Sequence, residues 1–108
     1  MISNAGAAVI ASQCKRLRSL CLKGCSIDDS SLLMKIVSNN PLLQMVSLSG
    51  VKGVTDDVLS CVARECPEIH DVFLSGVPVS RSAISKFRFE VGRDVQVYGK
   101  RMKPKKVV

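Results

Sequence analysis

The sequence predicts an α/β fold in which short strand–turn–helix units stack side by side into a solenoid. Three observations lead to this prediction. A block of about 26 residues recurs three times along the 108-residue chain, a glycine separates a strand-like from a helix-like stretch in each block, and apolar residues return at matching places. One unit cannot bury its strand face and its helix stripe, whereas stacked units share a core. We therefore expect a short parallel sheet on the concave side and helices on the convex side.

The strands are the clearest repeated feature. Aligned at a spacing of 26, the three stretches read LRSLCLKGC from Leu17, LQMVSLSGV from Leu43 and IHDVFLSGV from Ile69. Apolar residues alternate in each stretch, which is typical of a strand with one buried face. A glycine follows every strand, at positions Gly24, Gly50 and Gly76, and it predicts a tight turn there.

A helix is predicted after each turn. Asp28, Thr55 and Ser80 are the predicted N-caps, because their side-chain oxygens can accept free backbone N–H groups. Pro41 and Pro67 end the first two helices. The apolar stripes at helical spacing are Leu32, Leu33, Ile36 and Val37, then Val58, Leu59, Val62 and Ala63, then Ala83, Ile84 and Phe87.

The register extends to both ends of the chain. Asn4–Gln13 is predicted to be the helix of a preceding partial unit, and Asp94 to Tyr98 a closing strand paired 26 residues upstream. The predicted repeat domain is 1–98, made of a partial unit 1–16, units 17–42, 43–68 and 69–93 and the closing strand 94–98, before a basic, disordered tail 99–108. Because three units are near the minimum for a solenoid, we expect marginal stability or self-association through the incomplete N-terminal edge.

Composition and charge separate a nearly neutral body from a basic tail. Hydrophobic residues are 46% and aromatic residues only 4%, so the core must be aliphatic. The net charge is 16 − 9 = +7, and five of the positive residues, Lys100, Arg101, Lys103, Lys105 and Lys106, lie in the last nine positions. The tail is interpreted as a solvated segment. A nuclear-localisation or nucleic-acid patch, or contact with an acidic partner, is the alternative.

The sequence offers no chemistry for an enzyme, a metal or a cofactor. The five cysteines form no CxxC pair and the single histidine has no spacing partner, so they are interpreted as reduced thiols of a cytoplasmic or nuclear protein. His70 and Asp71 are adjacent, and strand alternation predicts that they point to opposite faces rather than form a catalytic pair. No apolar run reaches the roughly 18 residues of a membrane span.

The candidate functional residues are the ones expected to point outward from the strands, since Leu20 and Leu22 point into the core. The predicted partner-binding set on the concave face is Ser19, Cys21, Lys23, Met45, Ser47, Asp71 and Phe73. An exposed Met45 and Phe73 would suit a protein partner. The alternative is that further N-terminal units or the tail cover them, or that the two side chains are merely tolerated at the surface.

A competing motif is the GxxG of Gly50-Val51-Lys52-Gly53, which is typical of loops that clamp a nucleic-acid backbone. The repeat alignment instead makes Gly50 a turn glycine and gives this turn one extra residue. Because no ordered stacking platform accompanies the basic residues, nucleic-acid binding has less support than protein binding.

The unit pattern LxxLxLxGCxxIxDxxLxxLxxxCP, best matched from Leu17 to Leu32 and closed by Cys66-Pro67, resembles the cysteine-containing class of leucine-rich repeat. It is similar to the repeats of F-box proteins and of mitotic-exit antagonists. The resemblance implies a ribonuclease-inhibitor-like solenoid and a non-catalytic protein–protein interaction module, such as substrate recognition in an SCF-type ubiquitin ligase or a cell-cycle regulator.

Several positions depart from the family pattern. Val51 and Val77 replace the cysteine found at Cys25, Asn40 replaces a second one, and Arg81 replaces an acidic residue. No F-box-like segment precedes the repeats in this chain. The chain is therefore expected to be a fragment, or a structural or assembly factor that uses the same scaffold for another purpose.

Overall fold

The computed structural model describes residues 2–92 and 94–99, in which four helices alternate with four strands. The helices are α1 (Asn4–Gln13), α2 (Ser30–Asn39), α3 (Asp56–Glu65) and α4 (Arg81–Val91). The strands are β1 (Ser19–Cys21), β2 (Met45–Ser47), β3 (Asp71–Phe73) and β4 (Gln96–Tyr98). The α/β class is as predicted, and α1 has the predicted bounds. The predicted basic tail lies outside the described residues, apart from Gly99.

The strands form one parallel sheet in the order β1-β2-β3-β4. Ser19 pairs with Met45, and Met45 pairs with Asp71, so the predicted spacing of 26 is confirmed across the first three strands. The last step differs, because Asp71 pairs with Gln96, a spacing of 96 − 71 = 25. The predicted pairing of the closing strand 26 residues upstream was therefore wrong by one residue. The third unit ends where Gly92 adopts a left-handed conformation after α4.

The turn glycines extend the sheet beyond its three-residue strands. Gly24, Gly50 and Gly76 have φ of 72°, 76° and 72°, a conformation that L side chains rarely adopt. In this geometry the Gly24 N–H donates to Ser49 O at 2.9 Å and the Gly50 N–H to Ser75 O at 2.8 Å. Each turn is therefore bonded to the next one, and the stacking of units does not depend on the strands alone.

The N-cap of α2 is Asp29, so the prediction of Asp28 was wrong by one residue. The Asp29 carboxylate accepts from the Ser31 N–H at 2.9 Å and the Ser31 hydroxyl at 2.6 Å, and these bonds lower the pKa of Asp29. The cap therefore contributes its full stabilisation of α2 at pH values above the ordinary pKa of an aspartate. This stabilisation is lost as the pH falls through the lowered pKa of Asp29. Asp28 instead contacts the first residue of α1, because its carboxylate accepts a hydrogen bond from Asn4 Nδ2 at 2.7 Å.

The other two predicted caps lie at the predicted positions. The Ser80 hydroxyl accepts from the Ala83 N–H at 3.0 Å. Thr55 occupies the N-cap of α3 without a side-chain cap bond, and Asp56 and Asp57 in the first turn place negative charge at the positive end of that helix instead.

The core lies between the sheet and the helices and is aliphatic, as predicted. Its strand layer consists of Leu20, Val46, Val72 and Val97, one from each strand. Its largest buried side chain is Phe87 of α4, the one aromatic residue of the core cluster. Burial of such side chains, at roughly 1.5–3 kcal/mol each, is the main stabilising contribution.

Asn40 is the one fully buried polar side chain, with 0% exposure, among the described residues. Its Oδ1 accepts from the Leu17 N–H at 2.9 Å and its Nδ2 donates to Ile36 O at 2.7 Å. The amide thus joins the end of α2 to the chain entering β1. Cys66, the equivalent residue one unit later, makes only long thiol contacts with Val37 O at 3.8 Å and Asn40 O at 3.7 Å.

The N-terminal partial unit is fixed to the first full unit. Ile2 O accepts from the Ser26 N–H at 2.9 Å, and Asn39 Nδ2 donates to Ala11 O at 2.6 Å. Helix α1 buries Ala7 and Ala11 against the core, while Val9 remains 58% exposed. Self-association through this edge stays a prediction.

The GxxG stretch has a structural role in the stacking of the first two units. The N–H groups of Gly50, Val51 and Gly53 donate to Ser75 O, Leu48 O and Ile27 O. They therefore face other backbone carbonyls, which leaves them unable to bind a phosphate. Gly53 also lies so close to the first unit that an added Cβ would be 2.9 Å from Ile27 O.

We predict that Gly53→Ala destabilises the fold by about 1–3 kcal/mol, because the Cβ would overlap backbone that cannot move as a side chain can. Urea unfolding followed by circular dichroism measures the change in free energy of unfolding. The matched control is Lys52→Ala, an exposed neighbour that should leave stability nearly unchanged. Equal stability of Gly53→Ala and the control would show that the units approach less closely than described.

We also predict that Asn40→Ala costs about 1–3 kcal/mol, because it removes the side-chain bonds to the partly buried N–H of Leu17 and the buried carbonyl of Ile36. The comparison variant is Asn39→Ala, which removes one bond from a partly exposed amide and should cost less. Thermal unfolding of both variants would give this order. The reverse order would contradict a bridging role for Asn40.

Candidate binding site on the open face of the sheet

None of the four helices described lies on one of the two faces of the sheet. The middle residue of each strand is buried toward the helices, so the first and third residues point the other way. We call this surface the open face. It consists of Ser19, Cys21, Met45, Ser47, Asp71, Phe73, Gln96 and Tyr98. Parallel pairing aligns these side chains into two rows across the strands.

The two halves of the open face differ in size and shape. In the row of third positions, Cys21 and Ser47 on β1 and β2 are followed by Phe73 and Tyr98 on β3 and β4. The row thus has small side chains on β1 and β2 and aromatic side chains on β3 and β4. Ser47 is only 8% exposed, so this predicted binding residue offers little surface of its own, whereas Cys21 is exposed.

Phe73 and Tyr98 form a stacked pair. Their ring centroids are 4.5 Å apart and the ring planes differ by 13°. Phe73 is half-buried rather than fully exposed, since Tyr98 covers one of its faces. Sequence reasoning missed Tyr98 because a spacing of 26 would place it opposite the inward-pointing Val72. The observed spacing of 25 places it beside Phe73.

Asp71 links this aromatic pair to a histidine. The Tyr98 hydroxyl donates to Asp71 Oδ1 at 3.3 Å, and His70 Nδ1 lies 2.8 Å from Asp71 Oδ2. Burial, the negative charge of Asp71 and this hydrogen bond raise the pKa of Tyr98. The phenol therefore stays protonated and donating. We call His70, Asp71, Phe73 and Tyr98 the aromatic–acid cluster.

The contact between His70 and Asp71 corrects the prediction that these side chains point to opposite faces. Both of their backbone N–H groups donate to Gln44 O, at 2.9 and 3.2 Å, so regular strand alternation has not begun at His70. The same pair of hydrogen bonds to one carbonyl occurs one unit earlier, where the N–H groups of Gln44 and Met45 both donate to Arg18 O. Among the described contacts, no hydroxyl or thiol nucleophile meets the exposed His70.

The remaining predicted site residues lie around the cluster at different distances. Met45 is the neighbour of Asp71 in the row of first positions and is partly exposed. Ser19 and Cys21 lie on the same face but at its other edge, on β1, and Lys23 follows them at the turn. The structure thus brings Met45, Asp71 and Phe73 together, while Ser19 neighbours Met45 alone of these three and Cys21 is separated from Phe73 by Ser47.

Two hollows elsewhere contain no residue of the open face. One, of about 480 Å³, is lined by Gly24, Cys25, Ser26, Ile27, Asp28, Gly50 and Lys52 at the turns. The other, of about 200 Å³, is lined by Asp56, Asp57, Ser60, Ser80, Ser82, Ala83 and Lys86 at the starts of α3 and α4. Neither brings together groups with an evident chemical role.

The thiols differ in exposure, and all five are free in the structure. Cys61 and Cys66 are buried, and burial raises the pKa of Cys66 to about 12. Within residues 2–92 and 94–99, no group of three His, Cys, Asp or Glu residues is arranged to hold a metal ion. None of the helices described is long and apolar enough to cross a bilayer.

The comparisons with known proteins place the chain in no family. A scan found no protein-family model that matches it, and a search of curated proteins found no similar sequence.

We predict that the cysteines react in order of exposure, with Cys21 first and Cys66 last. At pH 8 a thiol of pKa about 12 is ionised to only about one part in ten thousand, and the thiolate is the nucleophile. Mass spectrometry after brief N-ethylmaleimide treatment would give the order. Cys66 should react rapidly only after unfolding. Rapid labelling of Cys66 in the folded chain would contradict its burial.

Proposed function

We propose that the chain is a leucine-rich-repeat solenoid of the cysteine-containing class and that its open face binds a protein partner. The observation that carries the proposal is the aromatic–acid cluster on the open face, which none of the described helices covers. Support for the repeat class comes from the spacing of 26 across β1 to β3 and from the recurring turn glycines.

The cluster has the composition of a protein-binding hot spot. Such sites are rich in aromatic side chains, and a few well-packed anchors carry most of the binding free energy. Phe73 and Tyr98 supply the rings, Met45 adds an adaptable apolar side chain, and Asp71 adds a charge. By resemblance, the proposed role is substrate recognition in an SCF-type ubiquitin ligase or a related cell-cycle regulator, in the cytoplasm or nucleus.

A second candidate function is binding of nucleic acid or an acidic partner through residues 100–108. Its support is the concentration of Lys100, Arg101, Lys103, Lys105 and Lys106 in this segment. The turn at Gly50 does not support nucleic-acid binding, since the N–H groups of Gly50, Val51 and Gly53 donate to backbone carbonyls of the same chain.

Affinity capture from a cell lysate with quantitative mass spectrometry would separate the two functions. The bait is the full chain, beside Met45→Ala/Phe73→Ala, a deletion of 100–108, and Phe89→Ala. Phe89 is a matched control because it is an aromatic residue on α4 with 85% exposure and lies away from the open face. Each captured protein is then purified and titrated against the same variants by calorimetry.

We expect a direct partner whose affinity falls at least about tenfold for Met45→Ala/Phe73→Ala, equivalent to about 1.4 kcal/mol, and stays unchanged for Phe89→Ala. Circular dichroism must show that the double variant is folded. Binding that survives the double variant, disappears with the tail and weakens steeply with salt would favour the second function.

A further inference from the structure

We propose that the open face recognises an arginine side chain of its protein partner, which stacks on Phe73 above Ser47 and pairs with Asp71. This inference rests on the proposed function and specifies the chemistry of the partner. It follows from the arrangement of three adjacent strands.

The stacking geometry provides the position for a planar group. Phe73 and Tyr98 lie opposite each other on neighbouring strands and stack at 4.5 Å, close to the usual strand spacing of about 4.8 Å. On the other side, the in-register neighbour of Phe73 is Ser47, whose side chain is too short to meet a ring. A flat group placed above Ser47 would therefore continue the stack on the second face of Phe73.

The charge beside this position favours a cation. Asp71 precedes Phe73 by two residues on the same strand and points to the same face. The Tyr98 hydroxyl reaches Asp71 Oδ1, so the Tyr98 ring and the nearly parallel Phe73 ring extend toward the carboxylate. A carboxylate oxygen has two acceptor sites, and within the described part of the chain the bonds from His70 and Tyr98 occupy one on each oxygen.

Among biological groups, the guanidinium of arginine meets both requirements. It is planar, always charged, stacks on aromatic faces and donates in a fork that matches a carboxylate. The ammonium group of lysine carries the charge but is not planar. A nucleobase has the plane, but its phosphate would be repelled by Asp71, so the observations favour a protein segment over RNA or DNA.

The test uses small probes and the full ¹⁵N-labelled chain. The probes are Nα-acetyl-arginine amide, the matching lysine and citrulline amides, and adenosine monophosphate. Citrulline has the shape of arginine without its charge. Amide chemical shifts are followed during titration. We expect the arginine probe to perturb residues of β2, β3 and β4 and to bind roughly 2- to 5-fold more tightly than lysine or citrulline, the range of an ordinary cation–π contact.

Variants assign the two contacts separately. Phe73→Leu keeps an apolar side chain without a ring face, and Asp71→Asn keeps an acceptor for Tyr98 without the charge. Each should remove most of the preference for arginine, whereas Phe89→Leu on α4 should not change it. Asp71→Asn also preserves the aromatic stack, so it tests the inference even if Phe73→Leu fails to fold.

The inference is overturned if the three amides bind equally, if adenosine monophosphate binds this position more tightly than arginine, or if both cluster variants keep the arginine preference. Such a result is distinguishable from failure of the proposed function. If Met45→Ala/Phe73→Ala still abolishes binding of a captured protein, the open face is a protein-binding site that uses other chemistry.

Discussion

The register of the parallel sheet is the constraint on which the rest of the structure depends. Strands of three residues are too short to be stable as isolated pairs. They persist because hydrogen bonds continue on both sides of them, from Gln44 to Arg18 O before the strands and from Gly24 to Ser49 O after them. A slip of one residue would turn every core side chain of a strand to the open face and would break these flanking bonds as well.

The open face depends on the one step at which this register changes. From β1 to β3, residues that are 26 positions apart pair with each other and lie in the same row of side chains. At β4 the paired residues are 25 positions apart, so the residue that faces each position of β3 is one earlier in the sequence than the repeat would place there. Tyr98 is thereby placed on the open face, beside Phe73, while Val97 fills the buried position. The irregular closing step thus creates the aromatic pair without a loss to the core.

The features that follow from periodicity could be predicted from the sequence, and those that follow from local backbone geometry could not. The apolar spacing predicted α1 and the register of the first three strands, because burial repeats with the unit, and the low aromatic content predicted the aliphatic core. The cap at Asp29, the contact between His70 and Asp71 and the need for glycine at Gly53 depend on where individual N–H groups and carbonyls point. No repeat pattern contains that information. Tyr98 was missed for a related reason, since the closing step breaks the period.

The hydrogen bonds within the aromatic–acid cluster order the side chains of the proposed binding surface. Association costs free energy for every side chain that must be ordered, roughly 0.5–1.5 kcal/mol each. Here Asp71 already fixes the Tyr98 hydroxyl, and the Tyr98 ring restricts Phe73. The proposed partner would therefore meet rings that are already ordered. On the other side of Phe73, the small side chain of Ser47 does not continue the aromatic stack, so the row contains two rings and not three.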